Sequence, residues 1–349
     1  MTLNEITPKL KEQAVKTLEG TGVLEVIPGI TLPGTNLMIK VRAKNKSKQE
    51  YLLFFDIKSI GQPRYIRMAV NELKDILTGK TKSYGIVGAP YLSEESVKIC
   101  KESGVGFIDL GGNCFIQVNG IYIDIQGRPN PLPNTRPLKS FFTQKSSRVI
   151  RVLLCRAKKD WYVRDLAKEA NVSIGQASNI KQKLMDHEFV KVGENKTFRL
   201  LNPETLLEKW AQDYTFRQNR MTHYYSFDEI RDIEYKLANY CESQHIQYGF
   251  TLTSGAALIA PSLRYNRVFA YFTGAEEDIA RQLGWKKVAS GPNISLLQPY
   301  DVGVLYGVQD VKGFKVVSDV QLYLDLRNYK ERGEEAAKFL LEHRFRQQW

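Results

Sequence analysis

Apolar residues recur at every fourth position from Ile6 through Leu10 and Ala14 to Leu18, which predicts a helix over Leu3 to Gly20, stopped by the glycine. The period then drops to two. A short strand is expected from Val23 to Ile27, ended by Pro28-Gly29. In the next, Leu37, Ile39, Val41 and Ala43 alternate with Met38, Lys40, Arg42 and Lys44, so one face is buried and the other basic. Tyr51 to Ile57 is almost wholly apolar and should be a central strand covered on both faces. Helices over Pro63 to Leu77 and Ser93 to Ser103 alternate with strands at Tyr84 to Ala89 and Val105 to Leu110. Cys114 to Val118 and Ile121 to Gln126 then flank Asn119-Gly120, a two-residue hairpin signal.

Pro129, Pro131, Pro133 and Pro137 crowd the next stretch, which can be neither helix nor central strand and reads as an extended linker. Beyond it, Ser146 to Arg156 has helical spacing, and Leu166, Ala167 and Ala170 mark a second helix. After Asn171-Val172-Ser173, a third helix buries Ala177, Ile180 and Leu184, capped by Ser173 with Gln176 where a capping box places Glu or Gln. Phe189 to Val192 and Lys196 to Leu200 alternate as two strands around Gly193-Glu194-Asn195. Helix, helix, capped helix and hairpin in this order form a winged helix-turn-helix. The outward face of the capped helix is nearly free of acids, and its Gln, Asn, Ser and Lys side chains can bond base edges in a major groove. The expected DNA contacts are Ser173, Gln176, Ser178, Asn179, Lys181, Gln182 and Lys183 on the helix, and Lys191, Asn195, Lys196 and Arg199 on the wing.

From Asn202-Pro203 onward a separate α/β pattern begins. It has helices at Glu204 to Tyr214, Ile230 to Ser243, Ser254 to Ala260, Ala275 to Leu283, Ser318 to Asn328 and Glu334 to Arg344. Strands are expected at Tyr248 to Leu252, Arg267 to Phe272 and Ile294 to Gln298, and TFRQNRMTHYYSF reads as an aromatic, basic connector. The expected layout is residues 1–128, a linker at 129–144, the winged helix at 145–202 and a C-terminal α/β domain at 203–349, a multidomain α/β and α+β chain.

Composition sharpens the picture mainly through where charge lies. The net charge is +12, and residues 136–200 hold 15 Lys or Arg against 6 Asp or Glu, so nine of the twelve excess positive charges sit around the winged helix. Such a concentration favours a polyanionic partner. The opening MTLNEITPKL is not a secretory signal, and no apolar run approaches the roughly 18 residues of a membrane span, so a cytoplasmic protein without membrane contact is expected. Cys100, Cys114, Cys155 and Cys241 are far apart and none forms a CxxC pair, which speaks against disulfides and zinc.

Helix, three strands, helix, strand, with Asp56-Ile57-Lys58 closing the third strand, resembles the restriction-endonuclease-like PD-(D/E)xK fold. That chemistry needs a D/E-x-K on a central strand and a second acid from the preceding strand or turn, so that two carboxylates hold a divalent metal. Asp56 and Lys58 match as catalytic residues. No Asp or Glu lies between Glu25 and Glu50, and Asn36 stands where the resemblance would place the first acid, which describes a degenerate site.

Three passages, Gly104 to Gly120, the winged helix and Val316 to Ala337, resemble the AbiEi-like antitoxins of type IV toxin-antitoxin systems. The resemblance implies a DNA-binding repressor of its own operon that counteracts a nucleotidyltransferase-like toxin without a stable complex with it; a homodimer is compatible with this. The simplest such antitoxins carry the winged helix first, whereas here the nuclease-like segment precedes it. The passage Leu252 to Ala260 is similar to the Gly-Ser turn of nucleotidyltransferases. It lacks the D-x-D that would follow, so its small residues are read as close helix packing. The expected function is therefore sequence-specific binding of double-stranded DNA, without a cofactor. The alternative is a metal-dependent endonuclease targeted by the winged helix, which alone would require Mg²⁺. A protein-docking winged helix is a third reading.

Overall fold

The computed structural model describes residues 2–28, 36–45, 48–132, 141–259, 265–329 and 333–349. Contacts divide the chain into two units, Met1–Pro137 with Met185–Glu188, and Leu138–Leu184 with Phe189–Trp349. Both are mixed α/β. No helix among the described residues is long and apolar enough to cross a membrane.

The first unit comprises α1 (Leu3–Gly20), β1 (Leu24–Ile27), β2 (Asn36–Ala43), β3 (Glu50–Ile57), α2 (Pro63–Leu77), β4 (Ser83–Ala89), α3 (Glu94–Glu102), β5 (Gly106–Asp109), β6 (Cys114–Val118) and β7 (Ile121–Ile125). Its strands form one seven-stranded sheet in chain order. Strands β3, β4 and β5 are parallel, as the intervening helices require, and the outer pairs are antiparallel. Asn119 and Gly120 both take positive φ, the conformation of the predicted two-residue hairpin turn.

The two-residue period of β3 divides its side chains between two cores. Tyr51, Leu53, Phe55 and Ile57 pack with Ile6, Leu10, Ala14 and Leu18 of α1. Phe54 turns to the opposite face, against the cluster that holds Ile66, Ala69, Val70 and Leu73 of α2. Leu52 and Phe54 are only half-buried, so complete cover on both faces is reached only at Phe55 to Ile57. On β2, Met38 is buried as well, so the second face of that strand is not basic throughout.

The second unit opens with α4 (Gln144–Cys155), α5 (Val163–Glu169), α6 (Ile174–Asp186), β8 (Val190–Val192), β9 (Phe198–Leu200) and α7 (Pro203–Asp213). Most of the predicted linker, 133–140, lies outside the described residues, and Gln144, assigned to it from sequence, instead begins α4. Then come β10 (Arg220–Tyr225), α8 (Ile230–Ser243), β11 (Tyr248–Phe250), α9 (Leu252–Ile259), β12 (Val268–Phe272), α10 (Glu276–Leu283), β13 (Lys286–Lys287), β14 (Ile294–Gln298), β15 (Gln309–Val311), β16 (Phe314–Val316), α11 (Asp319–Arg327) and α12 (Gly333–Leu340).

A second seven-stranded sheet runs in the order β13-β10-β14-β12-β11-β16-β15. The stretch read from sequence as a connector therefore contains a strand, β10, antiparallel to β14. Its inward residues are Thr222 and Tyr224, so no run of aliphatic side chains marks it. Helix α11 carries no polar face to solvent. Leu322, Leu324 and Leu326 are buried, and so are Asp319, Gln321 and Asp325.

Candidate functional site

Ser173 precedes α6, and its Oγ accepts a hydrogen bond from the Gln176 backbone N–H at 3.1 Å, so the helix begins where its cap predicts. The Gln176 side chain corrects the sequence reading. Its Nε2 donates to Ser146 Oγ of α4 at 3.0 Å, and the residue is half-buried. Gln176 thus ties the third helix to the first and does not stand among the outward readers.

Ala177, Ile180 and Leu184 form the buried stripe of α6. Ser178, Asn179 and Gln182 lie on its exposed side, with Ser173 at its start. Lys181 and Lys183 are only partly exposed. Their ammonium groups stand over the Phe198 and Phe141 rings at 5.1 and 5.6 Å, so their stems cover apolar surface. That placement shifts both from the expected role of open anchors toward packing.

In the hairpin, Lys191 of β8 pairs with Arg199 of β9, which puts two cations side by side on one face, both exposed. Arg199 lies 3.8 Å from Asp160, an exposed pair that holds it only weakly. The turn carries Asn195 and Lys196 at φ 56° and 63°, and both side chains are exposed. The structure thus brings Ser178, Asn179 and Gln182 together on one helix face, and Lys191, Asn195, Lys196 and Arg199 on the hairpin.

A residue the sequence did not single out fixes the turn before α6. Arg148 of α4 donates from NH1 to the Asn171 carbonyl at 3.1 Å. Its remaining donors hold Asp301. Because Asp301 is far away in the chain, no local pattern could reveal the pair.

In the first unit, Asp56 and Lys58 meet at the end of β3. Lys58 Nζ lies 3.1 Å from Asp56 Oδ2 and 2.7 Å from Glu72 Oε2 of α2. Glu72 is the acid that sequence reading did not find, because α2 places it on an exposed face that carries no pattern. Asn36 stands opposite Asp56 in the β2–β3 register. Burial pushes the Asp56 carboxyl up to about 6, reinforced by Glu72 and opposed by Lys58. Glu72 is held below the usual carboxylate range by Asp56 and Lys58. Burial alone would pull Lys58 down, but Glu72 and Asp56 outweigh it and its affinity for the proton rises.

This arrangement does not fit a divalent metal well. A hard cation wants several anionic oxygens, and here one ammonium already pairs with both carboxylates and offsets one of their two charges. Among the described residues no group of three or more His, Cys, Asp or Glu is placed to hold a metal. The four cysteines are free, three of them buried and Cys155 half-buried.

Comparison with known proteins adds to this geometry. No curated protein matches the chain. A solved structure described as EndoMS in apo form is 16% identical over 29% of this chain and 45% of that one, with a TM-score of 0.20. The chain thus spans under half the length of that structure. Residues 199–345, from the end of the hairpin to beyond the end of α12, match the family described as "Transcriptional regulator, AbiEi antitoxin, Type IV TA system".

Proposed function

We propose that this protein is a sequence-specific double-stranded DNA-binding regulator that represses its own operon as the antitoxin of a type IV system. The observation that carries the reading is the exposed side of α6, a helix whose one acid is the half-buried Asp186 at its far end, beside a hairpin with Lys191 and Arg199 in register. A helix of this kind fits a major groove, and paired cations on a wing suit the phosphates that flank it. The family match over 199–345 supports the regulatory role and implies a toxin partner. Within the four-part layout, 145–202 is the DNA-binding module and 1–128 a nuclease-like scaffold.

Footprinting on the promoter of its own operon tests the proposal. Protection of a discrete site, lost on random sequence, is the expected result, and uniform weak retention of all DNA would overturn it. The endonuclease alternative gains a second carboxylate in Glu72, but Lys58 already pairs with both acids and leaves less net negative charge for a metal. Incubation with plasmid and Mg²⁺ or Mn²⁺ is expected to leave the DNA uncut. Cleavage that disappears in Asp56→Ala would reverse that preference.

A further inference from the structure

The outward side of α6 is not wholly polar. Ile174, its first residue, is 56% exposed, although isoleucine is among the side chains most often found inside. It is held at a defined position, because Ser173 caps the helix at that point. Gly175 follows it, and a Cβ built there would meet no atom within 4 Å. Ser178, one helical turn on from Ile174, is exposed on the same side, and Asn179 lies next to it. The entry end of α6 is therefore a low, open surface in which one branched apolar group projects beside two small polar ones.

The occupant that suits this surface is the floor of a DNA major groove. The exposed cations Lys191, Lys196 and Arg199 of the hairpin complement phosphates, and a groove floor offers one apolar group, the thymine C5 methyl. We propose that Ile174 reads a thymine in the recognised site by packing on its methyl, with the bare backbone at Gly175 allowing the close approach. This rests on the DNA-binding reading above and names the base it selects. Ile174 is then a specificity-determining residue, and its exposure is the cost of reading an apolar mark in water.

The test uses the full-length protein and a duplex obtained by selection from random sequence. Each thymine of that duplex is replaced in turn by deoxyuridine, which removes only the methyl. One position should weaken wild-type binding about fourfold, the worth of one buried methyl-sized group. In Ile174→Ala that same replacement should have no effect, while binding to the deoxyuridine duplex stays near the wild-type level. Alanine is a better helix former than isoleucine and the site is exposed, so the variant folds. If wild type binds the selected duplex tightly but no thymine position loses its methyl sensitivity in Ile174→Ala, this inference falls and the DNA-binding reading stands. If wild type retains no selected duplex above random sequence, both fall together.

Discussion

Arg148 grips Asp301 through both carboxylate oxygens, from Nε at 2.8 and 3.1 Å and from NH2 at 2.8 Å. Asp301 in turn accepts the Gly303 backbone N–H at 2.7 Å. The Arg148 and Asp301 side chains are only 18% and 5% exposed, so this pair is largely out of water. Removing one partner leaves a buried charge uncompensated, which makes Arg148→Ala costly, by about 3 kcal/mol. The double variant Arg148→Ala/Asp301→Ala should recover part of that loss, and urea unfolding of the three variants forms the cycle. Arg148 also holds the Asn171 carbonyl in the turn before α6, so its loss should weaken DNA binding beyond the effect of stability alone.

The outward helix residues and the hairpin cations should separate in their effects on DNA. Asn179→Ala is expected to cost roughly 1 to 3 kcal/mol on the recognised site and almost nothing on random duplex. Lys196→Ala should weaken both alike and lower the log–log salt slope by about 0.9. Gln176→Ala, in contrast, removes the hydrogen bond to Ser146 and should act through stability. Titrations at several salt concentrations distinguish the three, and an equal loss on both duplexes for Asn179→Ala would remove α6 from the reading role.

What could be read from sequence follows from where the information resides. Ile6, Leu10, Ala14 and Leu18 are each fully buried, because a helix on a sheet must hide one stripe and that stripe is periodic. Ser173 announced the start of α6 because a cap is a local contact. The destination of the Gln176 side chain was not local. A capping box and a bond to α4 need the same residue, and only the packing of the two helices decides between them. Strand β10 escaped notice because Thr222 and Tyr224 face the interior, with the Thr222 hydroxyl bonded to Glu276. Glu72 and Asp301 became relevant only through partners on other elements, on which periodicity is silent.

Asp325 sits at the centre of a buried polar cluster. Its Oδ1 accepts from Tyr214, Tyr271 and Gln321, and its Oδ2 from Thr251. Burial pushes its carboxyl up to about 6, although these donors oppose the shift. A carboxyl raised in the folded state favours folding below the unfolded value near 3.8, and that contribution is lost as pH rises through about 6. The stability of the second unit should therefore be greater at pH 5 than at pH 7.5, by about 1.4 kcal/mol, the worth of the one pH unit between 5 and the folded value. Asp325→Asn keeps the acceptor and cannot ionise, so it should reduce this dependence in a thermal-unfolding series, leaving the parts that come from the other carboxyls raised by burial, Glu234 in the same unit and Asp56 and Asp109 in the first.

Gly255 tests the packing reading of the small-residue helix α9. A Cβ there would lie 2.8 Å from the Phe250 carbonyl oxygen and 3.1 Å from Leu322 Cδ1. The backbone contact cannot move aside, so Gly255→Ala should destabilise the protein by roughly 1 to 3 kcal/mol through overpacking, despite alanine's better helix propensity. A gain in the unfolding midpoint would show that the helix does not need its close approach.

Lys58 is the counter-ion on which the Asp56 carboxylate depends, and that dependence has a pH signature. In Lys58→Met the stem is retained and the ammonium is lost, so Asp56, which is 4% exposed, has no cation beside it while Glu72 remains. At pH 8 the native protein must then either bury an unpaired carboxylate or bind a proton that the unfolded chain does not hold. At pH 5 the raised carboxyl is already protonated, and only the pairing with Glu72 is lost with the ammonium. The destabilisation by Lys58→Met should therefore be larger at pH 8 than at pH 5. Asp56→Asn in the same background should remove most of that difference, since the amide needs no counter-charge. Equal losses at the two pH values would show that Lys58 contributes only its hydrogen bond to Glu72.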